Sequence, residues 1–194
     1  MMVTSSGQLE PDWRYRSHLR RSGVSDEMQT WLFHDASLTT RLKAGCQHGF
    51  RVEVLRQRYA RVQINEERLL GIPHRQNALL REVYLYCGNV RVVYARSIIP
   101  LKTLTGKQRQ LAYLGERPLG GFLFSCPSMQ RGQVQLAQIP AGNPVYNRAM
   151  DSLQQQADNL WGRRSVFRLD GKPLIVAEIF LPAINQMVTG DIDG

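Results

Sequence analysis

No apolar run in the sequence approaches the roughly 20 residues that a membrane-spanning helix needs, so the pattern is that of a globular chain. Cysteine is scarce: Cys46, Cys87 and Cys126 are widely spaced, form no CxxC pair and have no histidine placed to complete a zinc site. They are expected to be reduced thiols of a cytoplasmic protein, with no metal and no cofactor. Residues 1 to 24 are polar and basic and lack the apolar core of a secretory signal. Acid is the minority charge, 16 Asp and Glu against 25 Lys and Arg, and the resulting net charge of +9 favours anionic partners. A recognition helix, finger spacing and an RNP-like aromatic motif are all missing, which weighs against nucleic acid. Also missing are a nucleophile elbow, a P-loop, a dinucleotide-binding glycine pattern and HExxH. Any catalysis is therefore expected to depend on positioning and electrostatics.

What remains is a chain of 194 residues, 43% apolar and 21% charged, long enough for one domain with its own core. Residues 1 to 24 are predicted to be a flexible or loosely docked basic arm, and residues 25 to 194 the domain. The segment "SDEMQTWLFHDASLTTRLKAG" predicts a helix opened by Ser25 and Asp26, with Met28, Trp31 and Leu32 on one side, then a second capped by Ser37 and stopped by Gly45. Alternation of Phe50, Val52 and Val54 with Arg51 and Glu53 predicts a half-exposed strand over 49 to 62. Thr105 and Gln108 have the spacing of a capping box ahead of a helix ended by Gly115, and a Pro-Leu-Gly-Gly corner follows. Residues 130 to 158 are polar and turn-rich and read as a peripheral excursion.

Two hairpins carry the charges of interest. In "LREVYLYCGNVRVVYAR" the Gly88-Asn89 turn pairs Cys87 with Val90, which sets Leu85 against Val92, Val83 against Tyr94 and Arg81 against Arg96, on one apolar face. Like charges directly opposite are destabilising, so either an anion sits between the two arginines or they reach solvent or pair with carboxylates such as Glu82 or Glu178. In "RRSVFRLDGKPLIVAEIFLP" the turn at Asp170-Gly171 places Glu178 in an apolar strand opposite Arg163. A carboxylate there is either paired with a cation or protonated by desolvation.

Four blocks, "WLFHDASLTTRL", "LLREVYLYCGNVRVVYARSIIPLKTLTG", "RPLGGFLF" and "LWGRRSVFRLDGKPLIVAEIFLPA", occur in order over most of residues 28 to 183 and resemble the chorismate pyruvate-lyase family. That resemblance implies a single α+β domain, an antiparallel sheet covered by helices, with helical flaps over a buried ligand. It implies conversion of chorismate to 4-hydroxybenzoate and pyruvate, the committed step toward ubiquinone, by a cofactor-free and monomeric enzyme. By the resemblance Arg81 binds the ring carboxylate, Glu178 meets the ring hydroxyl, Leu119 contributes backbone contact, and Leu38 stands where the family usually has methionine. Arg96 corresponds to a second arginine and is expected to help with the enolpyruvyl carboxylate. The segment 132 to 157 is longer than the family pattern. The alternatives are a non-catalytic sensor of a small aromatic anion, since regulators share this fold, and a basic nucleic-acid or membrane-surface adaptor.

Overall fold

A computed structural model describes residues 10–19, 23–155 and 157–189. The strands are β1 (Arg14–Tyr15), β2 (Phe50–Arg61), β3 (Asn77–Cys87), β4 (Val90–Pro100), β5 (Gln130–Arg131), β6 (Gln135–Pro140), β7 (Asn159–Leu169) and β8 (Lys172–Phe180). All pairings are antiparallel, in the order β1-β6-β7-β8-β4-β3-β2, with β5 added on β7. The helices are α1 (Asp26–Leu32), α2 (Leu38–Gly45), α3 (Ile64–Leu70), α4 (Leu119–Phe124), α5 (Pro144–Ala149) and α6 (Gln186–Thr189). The architecture is the expected α+β domain. None of these helices is long and apolar enough to cross a membrane.

The first two helices start where the caps predict. The Ser25 hydroxyl oxygen accepts from the Met28 N–H and that of Ser37 from the Thr40 N–H, each satisfying a first-turn donor. Their apolar side chains, Met28, Trp31, Leu32, Leu38 and Leu42, pack with Val52, Val83, Leu85, Val93 and Phe180 on one face of the sheet, called here the near face. The far face carries Tyr84, Tyr94 and Ile179, which pack with Ala149 and Met150 around α5.

Four expectations need correction. Residues 106 to 113 form a 3-10 helix in which the Gln108 amide donates to Asp170 Oδ2 at 2.6 Å, so no capping box forms with Thr105. The supposed excursion contains β6, hydrogen-bonded to β7, and Leu136, Ala137 and Ile139 are buried. Along its described part the N-terminal arm is docked: Arg14 and Tyr15 pair with Leu136 and Gln135. A Cβ on Gly162 would stand 2.7 Å from Ile179 Cδ1 and 3.2 Å from the Trp13 ring, so a side-chain-free residue is needed where the arm crosses β7. Arg20 and Arg21 of the basic cluster lie outside the described residues. Finally, Cys46 and Cys87, 41 residues apart, are joined as a disulfide between the end of α2 and the end of β3, while Cys126 is free. Sequence distance hid this pair because the flap folds back onto the strand.

Candidate active site

Strand β3 carries Arg81 on the near face, where it is only 2% exposed. Its Nη2 donates to the carbonyl of Gly115 at 2.9 Å and to that of Arg117 at 3.2 Å. Gly115 has φ +56°, a left-handed conformation that glycine adopts without strain and that turns these carbonyls toward the strand. Nε has no hydrogen-bond partner, and among the described residues no carboxylate comes within ion-pair distance of the guanidinium. Burial pushes its pKa down to about 10. Arg81 is thus a buried cation solvated by carbonyls and short of an anion.

Glu178 lies two strands away on the same face. Val83 pairs with Ala95, Ala95 with Glu178, and Glu178 with Arg163. Strand spacing and rise put the Arg81 and Glu178 Cα atoms about 12 Å apart, so a small ligand can lie between the two side chains. Of the two readings open for this carboxylate, the structure gives the ion pair. Arg163 Nε donates to Glu178 Oε2, while Nη1 donates to the carbonyls of Trp31 at 2.8 Å and His34 at 2.7 Å. One 1%-exposed arginine therefore ties the carboxylate to the end of α1, the flap above it.

Between Arg81 and Glu178 is a cavity walled by Leu38, Val83, Leu119, Leu123, Phe167 and Val176. Thr39 and Ser97 add hydroxyls to its lining, and among the described residues Arg81 is the one cation that lines it. The helix pair α2 and α4 closes over it. A Cβ on Gly120 would lie 2.6 Å from Thr39 Oγ1, which explains why the Pro-Leu-Gly-Gly corner has glycine at the crossing. The first-turn amides of α4, at Leu119 and Gly120, have no acceptor within the helix.

Arg96 is elsewhere. A bulge between Leu85 and Tyr86 shifts the register by one residue, so Arg81 pairs with Ser97 and Arg96 with Glu82. The two arginines point to opposite faces, and Arg96 is absent from the cavity. On the far face its guanidinium meets the Glu66 carboxylate, with Nη1 on Oε1 and Nη2 3.4 Å from Oε2, and its Nε is 3.7 Å from Glu82. Sequence reasoning missed α3, which supplies Glu66; the Gln63-to-Glu66 spacing was the available signal, because Glu66 Oε2 accepts from the Gln63 N–H at 2.9 Å. Thr39 and Ser97 carried no signal of their own. Leu38, Leu119, Arg81 and Glu178 line the same cavity.

Comparison with known proteins places the chain in a family. "Probable chorismate pyruvate-lyase" of Nitrosomonas eutropha is 41% identical over 160 residues, 82% of this chain and 89% of that protein. The protein of the same description from Methylococcus capsulatus is 42% identical over 159 residues, 81% of this chain and 96% of its own. Among solved structures, PhnF from Mycobacterium smegmatis matches with a TM-score of 0.56 at 15% identity, covering 77% of this chain and 65% of that one; at that identity it shows the fold alone. The family model described as chorismate lyase matches residues 13–189, and with relatives this similar over most of their length the chain belongs to the chorismate lyase family.

Proposed function

We propose that this protein cleaves chorismate to 4-hydroxybenzoate and pyruvate in the near-face cavity, with Arg81 and Glu178 as the residues that touch substrate. The observation that supports it most is the buried Arg81, with no carboxylate at ion-pair distance among the described residues, facing Glu178 across a cavity with largely apolar walls. Arg81 binds the ring carboxylate through charge-assisted hydrogen bonds, aided by the free amides at the start of α4. The enolpyruvyl carboxylate, with no second arginine among the described residues of the wall, takes the hydroxyls of Thr39 and Ser97 as donors.

In the reaction the C3–oxygen bond breaks, C4 loses its hydrogen and the ring becomes aromatic, while the departing enolpyruvyl group takes up the hydrogen to become pyruvate. Aromatisation supplies the drive. The protein's part is to hold the arm in a reactive orientation, exclude water beneath α2 and α4, and place Glu178 at the C4 hydroxyl, held there by Arg163. The product fits the committed step toward ubiquinone, and the working form is a cytoplasmic monomer. Leu38, where the family usually has methionine, keeps an apolar contact of similar volume.

Incubating the purified chain with chorismate tests the reading. Equal release of 4-hydroxybenzoate and pyruvate supports it; tight 4-hydroxybenzoate binding without release favours the sensor alternative.

A further inference from the structure

The far face of the sheet has its own groove, between α3, α5 and the N-terminal arm, and it shares no lining residue with the near-face cavity. Its floor is apolar, built from Leu80, Ile98, Ile175 and Ile179. Six arginines line it, Arg56, Arg58, Arg61, Arg96, Arg148 and Arg164, against two lining carboxylates, Glu66 and Glu82, and the neighbouring Glu10 of the arm, whose charge acts on Arg164 and Arg96 from beyond ion-pair distance. The two lining carboxylates are already engaged: Glu66 with Arg96, and Glu82 with Arg148 at 3.0 Å. Four positive charges on the lining remain without a carboxylate at ion-pair distance among the described residues. Arg56 and Arg58 share one side because they pair with Glu82 and Leu80 across β2 and β3. On the other side Arg164 is 7% exposed, donates Nε to Gln135 Oε1 at 2.7 Å and stacks over the Trp13 ring at 4.7 Å. Within the groove, the buried Tyr94 hydroxyl and Arg96 Nε, the latter 3.7 Å from Glu82 Oε1, both face the Glu82 carboxylate. A self-contained structural ion-pair network would balance its charges; this lining keeps an excess of cations.

We infer that this groove is a second binding site, for an anionic amphiphile: a phosphoryl or carboxylate head held by Arg56 and Arg58 at one rim, carried on an apolar body that lies along Leu80, Ile98 and Ile175 toward Arg164. An apolar floor beneath a cationic rim selects for both halves, since the body removes apolar surface from water and the head neutralises guanidiniums. The site does not depend on the lyase reading.

Calorimetric titration of the full chain with octyl phosphate and with octanoate, below their micellar range, tests this, with inorganic phosphate as a head-only control. One site per chain is expected, with inorganic phosphate at least tenfold weaker, and the better of the two amphiphiles identifies the head. The exposed pair Arg56→Gln/Arg58→Gln should weaken binding tenfold or more. Arg81→Met should leave binding unchanged, which separates this groove from the near-face cavity. The inference is overturned by no binding, by affinity indifferent to Arg56→Gln/Arg58→Gln, by phosphate binding as tightly as octyl phosphate, or by loss of binding in Arg81→Met.

Discussion

Arg81 separates function from stability more sharply than any other side chain here, and Arg81→Met isolates it. Burial holds its pKa at about 10, well below that of an ordinary guanidinium. At about 1.4 kcal/mol per unit, that gap means the charged form is disfavoured in the empty protein by about 3 kcal/mol. Methionine relieves this penalty but gives up two hydrogen bonds from a charged donor to Gly115 and Arg117, each contributing about 1.5–3 kcal/mol. The terms nearly offset, so the ligand-free variant should lose about 0–3 kcal/mol in urea denaturation. A buried ion pair that loses one partner typically forfeits about 3–5 kcal/mol. Binding should respond very differently. Deleting the cation from a buried carboxylate contact costs about 2–5 kcal/mol or more, a fall in 4-hydroxybenzoate affinity of roughly 30-fold to several thousand-fold by calorimetry. The pH dependence has two opposite signs. Because the folded-state pKa lies below the unfolded one, the unfolded chain binds the extra proton from pH about 10 up to the ordinary guanidinium pKa, so Arg81's contribution to stability rises with pH across that window. Affinity for the carboxylate falls over the same range as the guanidinium loses its charge. Binding within tenfold of wild type, or a stability loss near 5 kcal/mol, would refute the reasoning.

Three further outcomes follow from the same geometry. Glu178→Gln should slow chorismate turnover by about 10²–10⁴ while 4-hydroxybenzoate affinity changes far less, measured by stopped assay and calorimetry; unchanged turnover would remove the carboxylate from the reaction. Arg96→Met should leave KM for chorismate unaltered yet cost about 3–5 kcal/mol of stability by stranding Glu66, and Arg96→Met/Glu66→Leu should recover most of it; a large KM change would return Arg96 to the substrate site. Reducing the Cys46–Cys87 bond should lower stability by up to about 4 kcal/mol on the chain-entropy account of a loop this long, read as a lower urea midpoint with and without a thiol reductant.

The sequence was informative where signals were local. Caps at Ser25 and Ser37, the Asp170-Gly171 turn and the pairing of Glu178 with Arg163 all depend on a few adjacent residues, and each is present in the structure. It was misleading where one residue of slippage decides which face a side chain occupies. The turn at Gly88-Asn89 was read correctly, but the bulge at Val92 moved Arg96 to the far face, and nothing in "VRVVYAR" marks a bulge. The polar segment from 130 to 158 misled for a related reason. Its strand β6 is short and buries Leu136, Ala137 and Ile139 between glutamines, so composition masked an alternation that pairing with β7 makes decisive. The disulfide is set by the fold of the α2 flap onto β3, which no spacing rule encodes.

The most direct measurement is an experimental structure of the protein with 4-hydroxybenzoate bound. The account predicts the ligand in the near-face cavity, with its carboxylate on Arg81 and its hydroxyl on Glu178, and no contact with Arg96. A ligand seated instead in the far-face groove at Arg96, with the Arg81 cavity empty, would contradict it.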